Sequence, residues 1–412
     1  MKALALLAAL LLSGCAALQP APSDAAGRLA LIDTVWTAID SRHVDPAPPD
    51  WATARERHRE AVLNAPAEPD PEALWLALDR VAGERRDAHT RVEGPREVRR
   101  KTHDSGPSLG LSLSLLEGEW VADKVLPDGP AARAGVRPGM RLLRWNGRAP
   151  EALWAERLAQ ARHSSTERAR DITALRQWLD GPPGSRVQLE WQGQDGAPLP
   201  MTLSREEQAL PPRWSFELRP GGVAVLRWNR FDLRIEAALR ETLLSLPTLR
   251  GLVLDLRSNG GGSFDMTKRL LDLLLPTEQV VQFTHLRGGQ RRVVHRAGGA
   301  AGAYAGPLLV LVDRASGSGS EMLAGTLQQA GRAEVLGETS CGCLLGIDRY
   351  LPLSAGARLA ISERALTLAD GRRVEGVGLR PDVEVPRTLA ALRAGRDEVL
   401  ERAEQLLLRP GP

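Results

Sequence analysis

The stretch PLLVLVDRASGSGSEMLAGTLQQ, from Pro307 to Gln329, joins an apolar strand to a helix through a glycine-rich loop. The apolar run ends at Asp313, and the serines of the loop follow it directly. Ser318 and Glu321 have the spacing of a capping box, which predicts that the helix begins at Ser318. In an α/β sheet such a loop lies at the carboxyl end of a strand, where reactive groups gather. A hydroxyl there also lies at the positive end of the helix dipole, which stabilises a developing anion.

The same alternation of strand and helix extends from about Arg213 to Pro386. Four apolar runs predict strands, namely GVAVLRW, GLVLDLRSN, PLLVLVD and AEVLGE. Helical patterns lie between them, and this alternation predicts a mainly parallel sheet with crossover helices. Residues from about Gly27 to Arg85 have helical periodicity, and short strand patterns occupy the segment from about Ser105 to Glu207.

The composition of the 412 residues is that of a globular protein, with 43% hydrophobic and 25% charged residues. A net charge of +3, from 54 basic and 51 acidic residues, is close to balanced. No dense basic block occurs, so nucleic-acid binding is not indicated.

The N-terminus has the pattern of an export signal: Met1-Lys2 precedes the apolar run ALALLAALLLSG, which is too short to span a bilayer. The sequence Leu12-Ser13-Gly14-Cys15 resembles a bacterial lipobox, which implies a lipid on Cys15; the alternative is a plain signal peptide with an incidental cysteine. Ala16 after that cysteine favours the outer membrane in this resemblance. We expect a lipid-anchored protein of the bacterial cell envelope, facing the periplasm.

The run PDGPAARAGVRPGMRLLRWNG resembles part of a PDZ domain. The resemblance places Leu109, Gly110 and Leu111 in the loop whose backbone N–H groups bind the C-terminal carboxylate of a peptide. The alternative is a β-rich spacer without a ligand. The stretch after it, EALWAERLAQARHSSTERARDITALRQWLDGPPG, is longer than the usual connection to the next strand, which brings ligand access into question.

Four motifs occur in order: VLDLRSNGGGSFD, LVDRASGSGSEMLAG, GRAEVLGETSCG and EGVGLRPDVEV. Together they resemble the S41 family of serine peptidases, which includes the C-terminal processing and tricorn-type proteases. The resemblance implies an α/β, crotonase/ClpP-like core with an N-terminal helical region and an inserted PDZ-like domain. It also selects Ser318 as the nucleophile over Ser316 and Ser320, whereas the loop by itself favours a helix cap.

A serine hydroxyl needs an adjacent base. The processing-protease branch uses a lysine, but Cys343 stands at the matching position, and no lysine follows Lys268. The tricorn-type branch uses a histidine and a glutamate, and the resemblance offers His89 as base and Glu375 as the residue that orients it.

These two candidates have structural alternatives. His89 could be a helix-end histidine bonded to a nearby carbonyl or to Asp87, and Glu375 could be a solvated turn residue. Ala88 stands where the tricorn-type branch has an auxiliary serine.

Backbone N–H groups should stabilise the oxyanion, and the resemblance assigns those of Gly261 and Gly319. Cys341 and Cys343 could form a disulfide or remain buried thiols, which we favour, and a third alternative makes Cys343 a redox-sensitive neighbour of the active site. No metal or cofactor is implied.

The expected organisation has six parts: signal peptide 1–14, tether 15–26, N-terminal helical region 27–104, PDZ-like domain 105–208, S41 peptidase core 209–389 and C-terminal helix 390–412. The expected function is hydrolysis of peptide bonds in protein or peptide substrates, with the substrate's C-terminus as a candidate recognition element. Two rivals remain. One is an inactive scaffold that binds proteins through the PDZ-like domain, and the other is a CoA-dependent hydratase, against which the export signal argues.

Overall fold

The computed structural model describes residues 19–66, 72–193, 196–209, 214–245, 249–289 and 292–409. The predicted signal peptide and Cys15 lie outside this part of the chain. None of the helices described combines the length and the apolar character needed to cross a bilayer.

The N-terminal region is helical, as the periodicity predicts. Its elements are α1 Ala25–Arg42, α2 Ala54–Leu63, α3 Glu72–Gly83, β1 Arg91–Glu93 and α4 Pro95–His103. Asp24 caps α1 by accepting the Gly27 N–H at 2.6 Å. The short strand β1 pairs antiparallel with residues 358–360 of the core, so the turn that precedes β1 is fixed to the core.

A β-rich module follows, built from three small sheets: one pairs β2 with β8, one pairs β3 with β4, and in the third β6 pairs with both β5 and β7. Its elements are β2 Ser105–Ser108, β3 Leu111–Leu116, β4 Glu119–Val125, α5 Pro130–Arg133, β5 Leu142–Trp145, α6 Pro150–Gln160, α7 Glu167–Leu179, β6 Arg186–Gln192, β7 Pro198–Ser204 and β8 Glu206–Ala209. Within the described residues β3 pairs with β4 alone, so its other edge is open to a further strand.

The core contains a six-stranded sheet in the order β18-β15-β14-β11-β10-β9. All neighbours are parallel except β9 and β10, which confirms the predicted, mainly parallel sheet. The elements are β9 Trp214–Arg219, β10 Val223–Trp228, α8 Leu233–Leu244, β11 Gly251–Asp255, α9 Phe264–Leu274, β12 Gln279–Leu286, β13 Arg292–Ala297, β14 Leu308–Val312, α10 Gly319–Gln329, β15 Glu334–Gly337, β16 Leu345–Pro352, β17 Arg358–Leu368, β18 Val383–Glu384, α11 Leu389–Arg393 and α12 Glu398–Leu408.

The position of β14 in the sheet, with both of its faces covered, explains why its sequence is a continuous apolar run. Leu308, Val310 and Val312 pack in the cluster that contains α9 and α10, whereas Leu309 and Leu311 pack with residues of α12 on the opposite face. Because both faces are covered, every side chain of the strand is apolar, and full burial of each contributes about 1.5–3 kcal/mol. The strand therefore holds the loop that follows it on a rigid base.

A second sheet lies beyond α9 and α10, and the sequence did not indicate it. It contains β1, β17, β12 and β13 in that order, with β16 also paired to β17, and its pairs are antiparallel. Leu366 and Leu368 of β17 join the same apolar cluster as the two helices. Several of these strands have one exposed face and polar side chains, so they lack the apolar runs that identify strands of the first sheet.

Candidate active site

Ser318 occupies the N-cap position of α10, at the end of the loop that follows β14. Its backbone has φ 53° and ψ −113°, a conformation that glycine adopts far more readily than serine. Such strain costs about 1–3 kcal/mol and persists only where the surroundings impose it. Here the Ser318 N–H donates to the carbonyl oxygen of Cys343 and to Glu321 Oε2, both at 2.9 Å.

The other two serines of the loop are buried and engaged. Ser316 Oγ donates to the carbonyl of Leu256 at 2.9 Å, and Ser320 Oγ donates to that of Asn259 at 2.8 Å. Both side chains are fully buried, whereas Ser318 is partly exposed. The geometry thus agrees with the selection of Ser318 from the three.

Glu321 connects the helix start to the segment after β15. Its Oε1 accepts from the Ser340 hydroxyl at 2.5 Å and the Gly342 N–H at 2.6 Å, and its Oε2 accepts from the Cys343 N–H at 3.0 Å as well as from Ser318. Burial raises the pKa of this carboxyl, and the four donors oppose that rise. The capping box expected from the sequence is present, and it also fixes the neighbouring loop.

Cys341 and Cys343 form a disulfide, with their Cα atoms 5.3 Å apart. This corrects our preference for free thiols. The Cys341 N–H donates to the carbonyl of Ser316 at 2.9 Å, and the Cys343 carbonyl accepts from Ser318. The cysteine pair therefore holds the serine loop through two backbone hydrogen bonds, and one of them joins Cys343 to Ser318, the nucleophile candidate.

Gly261 lies against the serine loop, where no side chain could fit. A Cβ on Gly261 would lie 2.6 Å from both Gly319 N and Ser318 Cβ. Its own N–H, however, donates to Asn259 Oδ1 at 2.9 Å, so this expected oxyanion donor is already engaged. Within the described chain the N–H groups of Gly319 and Gly260 have no acceptor. Gly319 thus retains the donor assigned to it, and Gly260 is a donor that the sequence did not single out.

His89 lies in the turn before β1, and no hydrogen bond joins its ring to any described residue. Its Nδ1 is shielded from solvent and has no partner in the described part of the chain. Burial, together with the positive charge of Arg91, lowers the pKa of His89 to about 4. The ring is therefore neutral at neutral pH, which is the form a general base requires.

Asp87 holds the backbone of this turn. Its Oδ1 accepts the N–H groups of His89 at 2.8 Å and Thr90 at 2.7 Å, and its Oδ2 lies 2.8 Å from His43 Nε2. Burial opposes ionisation of Asp87, but the pairing with His43 and the hydrogen bonds from Ser362 and Thr90 together outweigh it and hold the pKa well below its usual range. The expected alternative, a bond between His89 and Asp87, is present at the backbone and leaves the ring unused.

Glu375 is buried, so it is not the solvated turn residue of the alternative interpretation. Its Oε2 accepts the Leu344 N–H at 2.5 Å. Burial raises the pKa of Glu375 to about 8; the Ser165 hydroxyl opposes the rise, and the charge of Asp87 adds to it. No hydrogen bond joins Glu375 to His89 among the described residues.

The structure nevertheless places the three candidates around one set of loops. Ala88 packs on the buried pair Cys341 and Cys343, the Cys343 carbonyl contacts Ser318, and Leu344 contacts Glu375. Ser165 Oγ accepts the Ala88 N–H at 2.9 Å, and its hydroxyl opposes the rise in the pKa of Glu375. Sequence reasoning missed Ser165 because its partners are distant in the chain and no local pattern marks it.

The loop expected to bind a peptide carboxylate is part of the β-rich module. Leu109 is buried and its carbonyl accepts the Ala131 N–H, while the Gly110 N–H donates to Ser108 Oγ at 3.0 Å. Leu111 begins β3, whose outer edge is open. The described residues contain no cluster of ligands suited to a metal ion.

Comparison with known proteins connects this geometry to a family. Residues 222–385 match the profile described as peptidase family S41. The chain is 28% identical over 376 residues to carboxyl-terminal-processing peptidase 2, chloroplastic, of Arabidopsis thaliana, covering 86% of this chain and 68% of that one. It is 27% identical over 385 residues to the chloroplastic C-terminal processing peptidase of Tetradesmus obliquus, covering 90% and 80%.

Solved structures show the same fold. The photosystem II D1 C-terminal processing protease superposes with a TM-score of 0.56 at 24% identity, covering 93% of this chain and 97% of that one. Mature CPAF superposes with a TM-score of 0.67 at 13% identity, covering 93% and 97%. At these identities the likeness concerns the fold.

Proposed function

We propose that this chain, in which residues 222–385 match peptidase family S41, hydrolyses peptide bonds with Ser318 as nucleophile, His89 as base and Glu375 as the residue that orients His89. The observation that carries the proposal is the strained Ser318 at the start of α10, flanked by two serines whose hydroxyls are bound to main-chain carbonyls. Strain of this kind aims a side chain out of the loop, and the helix N-terminus stabilises negative charge beside it.

The reaction has two steps that share one tetrahedral geometry. Ser318 Oγ attacks the carbonyl carbon of the peptide while His89 takes the hydroxyl proton, and the negative oxygen lies near the N–H of Gly319. The C–N bond then breaks, His89 returns the proton to the leaving amine, and the acyl group remains on Ser318. Water, activated by His89, hydrolyses this ester and restores the enzyme.

Two further backbone donors and one carboxyl complete the site. The N–H of Gly260 has no acceptor among the described residues, and that of Gly261 becomes a donor once Asn259 releases it. In its ionised form, Glu375 stabilises the imidazolium of His89. Glu375 must therefore lose the proton that burial favours, and its carboxylate must turn towards His89 Nδ1.

Substrates are proteins or peptides selected through their C-termini. Two features support this part of the proposal: the relatives are named C-terminal processing peptidases, and β3 of the PDZ-like module has an open edge. A peptide that adds to β3 as a strand would bring its terminal carboxylate to Leu109, Gly110 and Leu111. The Gly110 N–H would exchange its bond with Ser108 Oγ for one with the carboxylate.

The location is the bacterial cell envelope, with a lipid on Cys15 that anchors the protein to the outer membrane on its periplasmic side. The lipobox and the short apolar run support this. Metabolic labelling with a palmitate probe tests it, since Cys15→Ser should abolish label and release the protein from the membrane fraction.

A second candidate function is an inactive scaffold that binds proteins through the PDZ-like module. The observations that favour it are the unpartnered Nδ1 of His89 and the position of Cys343, where the processing proteases have lysine.

Cleavage assays with the full-length protein separate the two functions. The substrates are one unfolded protein and two peptides that differ only in a free or amidated C-terminus. We expect cleavage that depends on Ser318 and favours the free carboxylate. Binding of the peptide without any cleavage would favour the scaffold.

A further inference from the structure

A buried histidine directly after α1 contacts the turn that carries the base candidate. His43 caps the carboxyl end of this helix and is 3% exposed. Its Nε2 lies 2.8 Å from Asp87 Oδ2, and among the described residues that oxygen has no other donor. The two residues are 44 positions apart in the chain, so no local sequence pattern indicates the contact.

Two donors on the other ring nitrogen determine the tautomer of His43. The Arg85 guanidinium donates to His43 Nδ1 at 2.8 Å, and the Asp45 N–H donates to the same atom at 3.1 Å. Because an arginine side chain has no acceptor, Nδ1 must accept, and the ring proton lies on Nε2. His43 therefore donates its Nε2–H to Asp87.

Arg85 is itself held in place, so the His43 ring has a fixed partner on this side. Arg85 is 7% exposed, and its guanidinium also donates to the Asp45 carbonyl at 2.6 Å. The same group lies 5.2 Å from the centroid of the Trp51 ring, a cation–π contact. The orientation of the His43 ring is thus fixed from both of its nitrogens.

The second carboxylate oxygen of Asp87 holds the turn at His89. Oδ1 accepts the N–H groups of His89 at 2.8 Å and Thr90 at 2.7 Å, and it accepts the Ser362 hydroxyl at 2.7 Å. Rotation about the Cβ–Cγ bond of an aspartate is soft, since this bond joins an sp³ carbon to an sp² carbon. Donors on both oxygens fix that rotation, and His43 supplies the donor to Oδ2.

We infer that His43 is a positioning residue for the base candidate His89, because its Nε2–H fixes the Asp87 carboxylate that holds the His89 backbone. The inference rests on the proposed function and deepens it. Among the described residues no hydrogen bond joins His43 to Ser318 or to the ring of His89. Its effect on the reaction is therefore transmitted by Asp87.

The position of the His89 ring depends on the backbone that carries it. The ring has no hydrogen bond to any described residue. Arg162 binds the carbonyl oxygens of Asp87 and Ala88, each at 2.9 Å, and leaves the N–H of His89 to Asp87. A displacement of about 1 Å can lower a rate about 10²-fold, so release of this N–H should slow the reaction.

The test measures fluorophosphonate labelling of Ser318 in full-length His43→Gln and His43→Leu. The two new side chains are similar in size, but only glutamine can donate to Asp87. We expect the maximal labelling rate to fall at least about tenfold in His43→Leu and to stay within about threefold of wild type in His43→Gln. The probe concentration that gives half the maximal rate should not change. Equal maximal rates for the two variants overturn the inference.

A double variant separates positioning from general disruption of the fold. If His43 acts through His89, His43→Leu should slow labelling no further once His89 is replaced by Ala. A further loss of about tenfold in the double variant contradicts the inference.

His58→Leu is the matched control. His58 forms the same type of pair, with Glu84 at 2.7 Å, and no hydrogen bond joins its ring to Asp87 or His89 among the described residues. This control should label at the wild-type rate. A loss as large as that of His43→Leu would show that any histidine–carboxylate pair of the region has this effect, and it would overturn the inference.

A measurement on wild type keeps the inference testable if His43→Leu does not fold. Selective ¹⁵N labelling of histidine reports which nitrogen of each ring carries the proton. At pH 7 we expect a proton on Nε2 of His43 and none on Nδ1. A proton on Nδ1 contradicts the inference.

Failure of the inference and failure of the proposed function give different results. If wild type labels on Ser318 and His89→Ala labels slowly, a wild-type rate in His43→Leu overturns the inference alone. If wild type forms no adduct on Ser318, or if His89→Ala labels as fast as wild type, the proposed function fails and the inference fails with it.

Discussion

The loop that carries Ser318 and the turn that carries His89 differ in how their polar groups are paired. On the serine side, Glu321 receives four hydrogen bonds and Ser318 is held in a strained conformation. On the histidine side the backbone is held by Asp87, yet the ring has no hydrogen-bond partner among the described residues, and the pKa of Glu375 is raised to about 8.

This difference indicates that the serine side is arranged for the reaction and that the histidine side must still rearrange. The proposed nucleophile and the helix start are pre-organised, which lowers the reorganisation needed when negative charge develops. The proposed base, His89, is neutral, but the carboxyl proposed to orient it accepts the Leu344 N–H instead. The cost of activating the site therefore falls on the histidine side, where Glu375 must ionise and turn.

Among variants that keep both Ser318 and His89, the largest effect should come from Glu375. In wild type, kcat/KM should rise with pH around a midpoint near 8 as Glu375 ionises, while His89, with a pKa of about 4, stays neutral throughout. In Glu375→Gln the side chain cannot ionise, so the rise of kcat/KM with pH should disappear. Its activity should be about 10²-fold below wild type at pH 9 and much closer to wild type at pH 6. A variant with the wild-type profile would show that Glu375 is not the orienting group.

The serine side should respond in stability instead. Ser316→Ala removes the acceptor of the Asp313 N–H as well as a donor to the Leu256 carbonyl, so it should lower the free energy of unfolding by about 1–3 kcal/mol. Ser320→Ala removes one of two donors to the Asn259 carbonyl, so it should lower the free energy of unfolding by about 0.5–1.5 kcal/mol. Both should still react with a fluorophosphonate probe. Chemical denaturation and labelling of the same samples measure both properties. Loss of labelling without loss of stability in either variant would show that the substituted serine, and not Ser318, is the nucleophile.

The strain at Ser318 gives a smaller and separate effect. Ser318→Gly should be more stable than Ser318→Ala by about 1 kcal/mol, since glycine accepts φ 53° without steric conflict. Both variants lack the hydroxyl, so the comparison isolates the backbone. Equal unfolding free energies would show that the loop does not store this strain.

The smallest effect on labelling should come from the disulfide. Because Cys341 and Cys343 are separated by one residue, their link closes a very short loop and contributes only about 1–2 kcal/mol through the unfolded state. Replacement of both by Ala should leave labelling of Ser318 within a few-fold of wild type, as the contacts to Ser318 are made by backbone atoms. Complete loss of labelling would give the disulfide a part in catalysis that we do not assign to it.

The sequence predicts the serine side well because its interactions are local. The strand β14, the loop and α10 are contiguous, and the residues that hold Glu321 lie in one short segment after β15. The parallel sheet follows from apolar runs that are buried on both faces.

The histidine side is less predictable since its contacts join distant regions. The turn at His89 is fixed by β1, by Asp87 and by a segment of the β-rich module, and Ser165 is identified only by where it lies in space.

On the serine side, one expectation was not met. Gly261 was expected to offer a free N–H, but the side chain of Asn259, two residues earlier, accepts it. Such a bond depends on a side-chain rotamer that no sequence pattern indicates.

The most direct test of the central claim is to map a fluorophosphonate adduct by mass spectrometry and to measure its rate of formation in wild type and His89→Ala. The account predicts one adduct, on Ser318, absent from Ser318→Ala and formed about 10²–10⁴-fold more slowly in a folded His89→Ala protein. An adduct on another residue, or one that forms on Ser318 at the wild-type rate without His89, would contradict it.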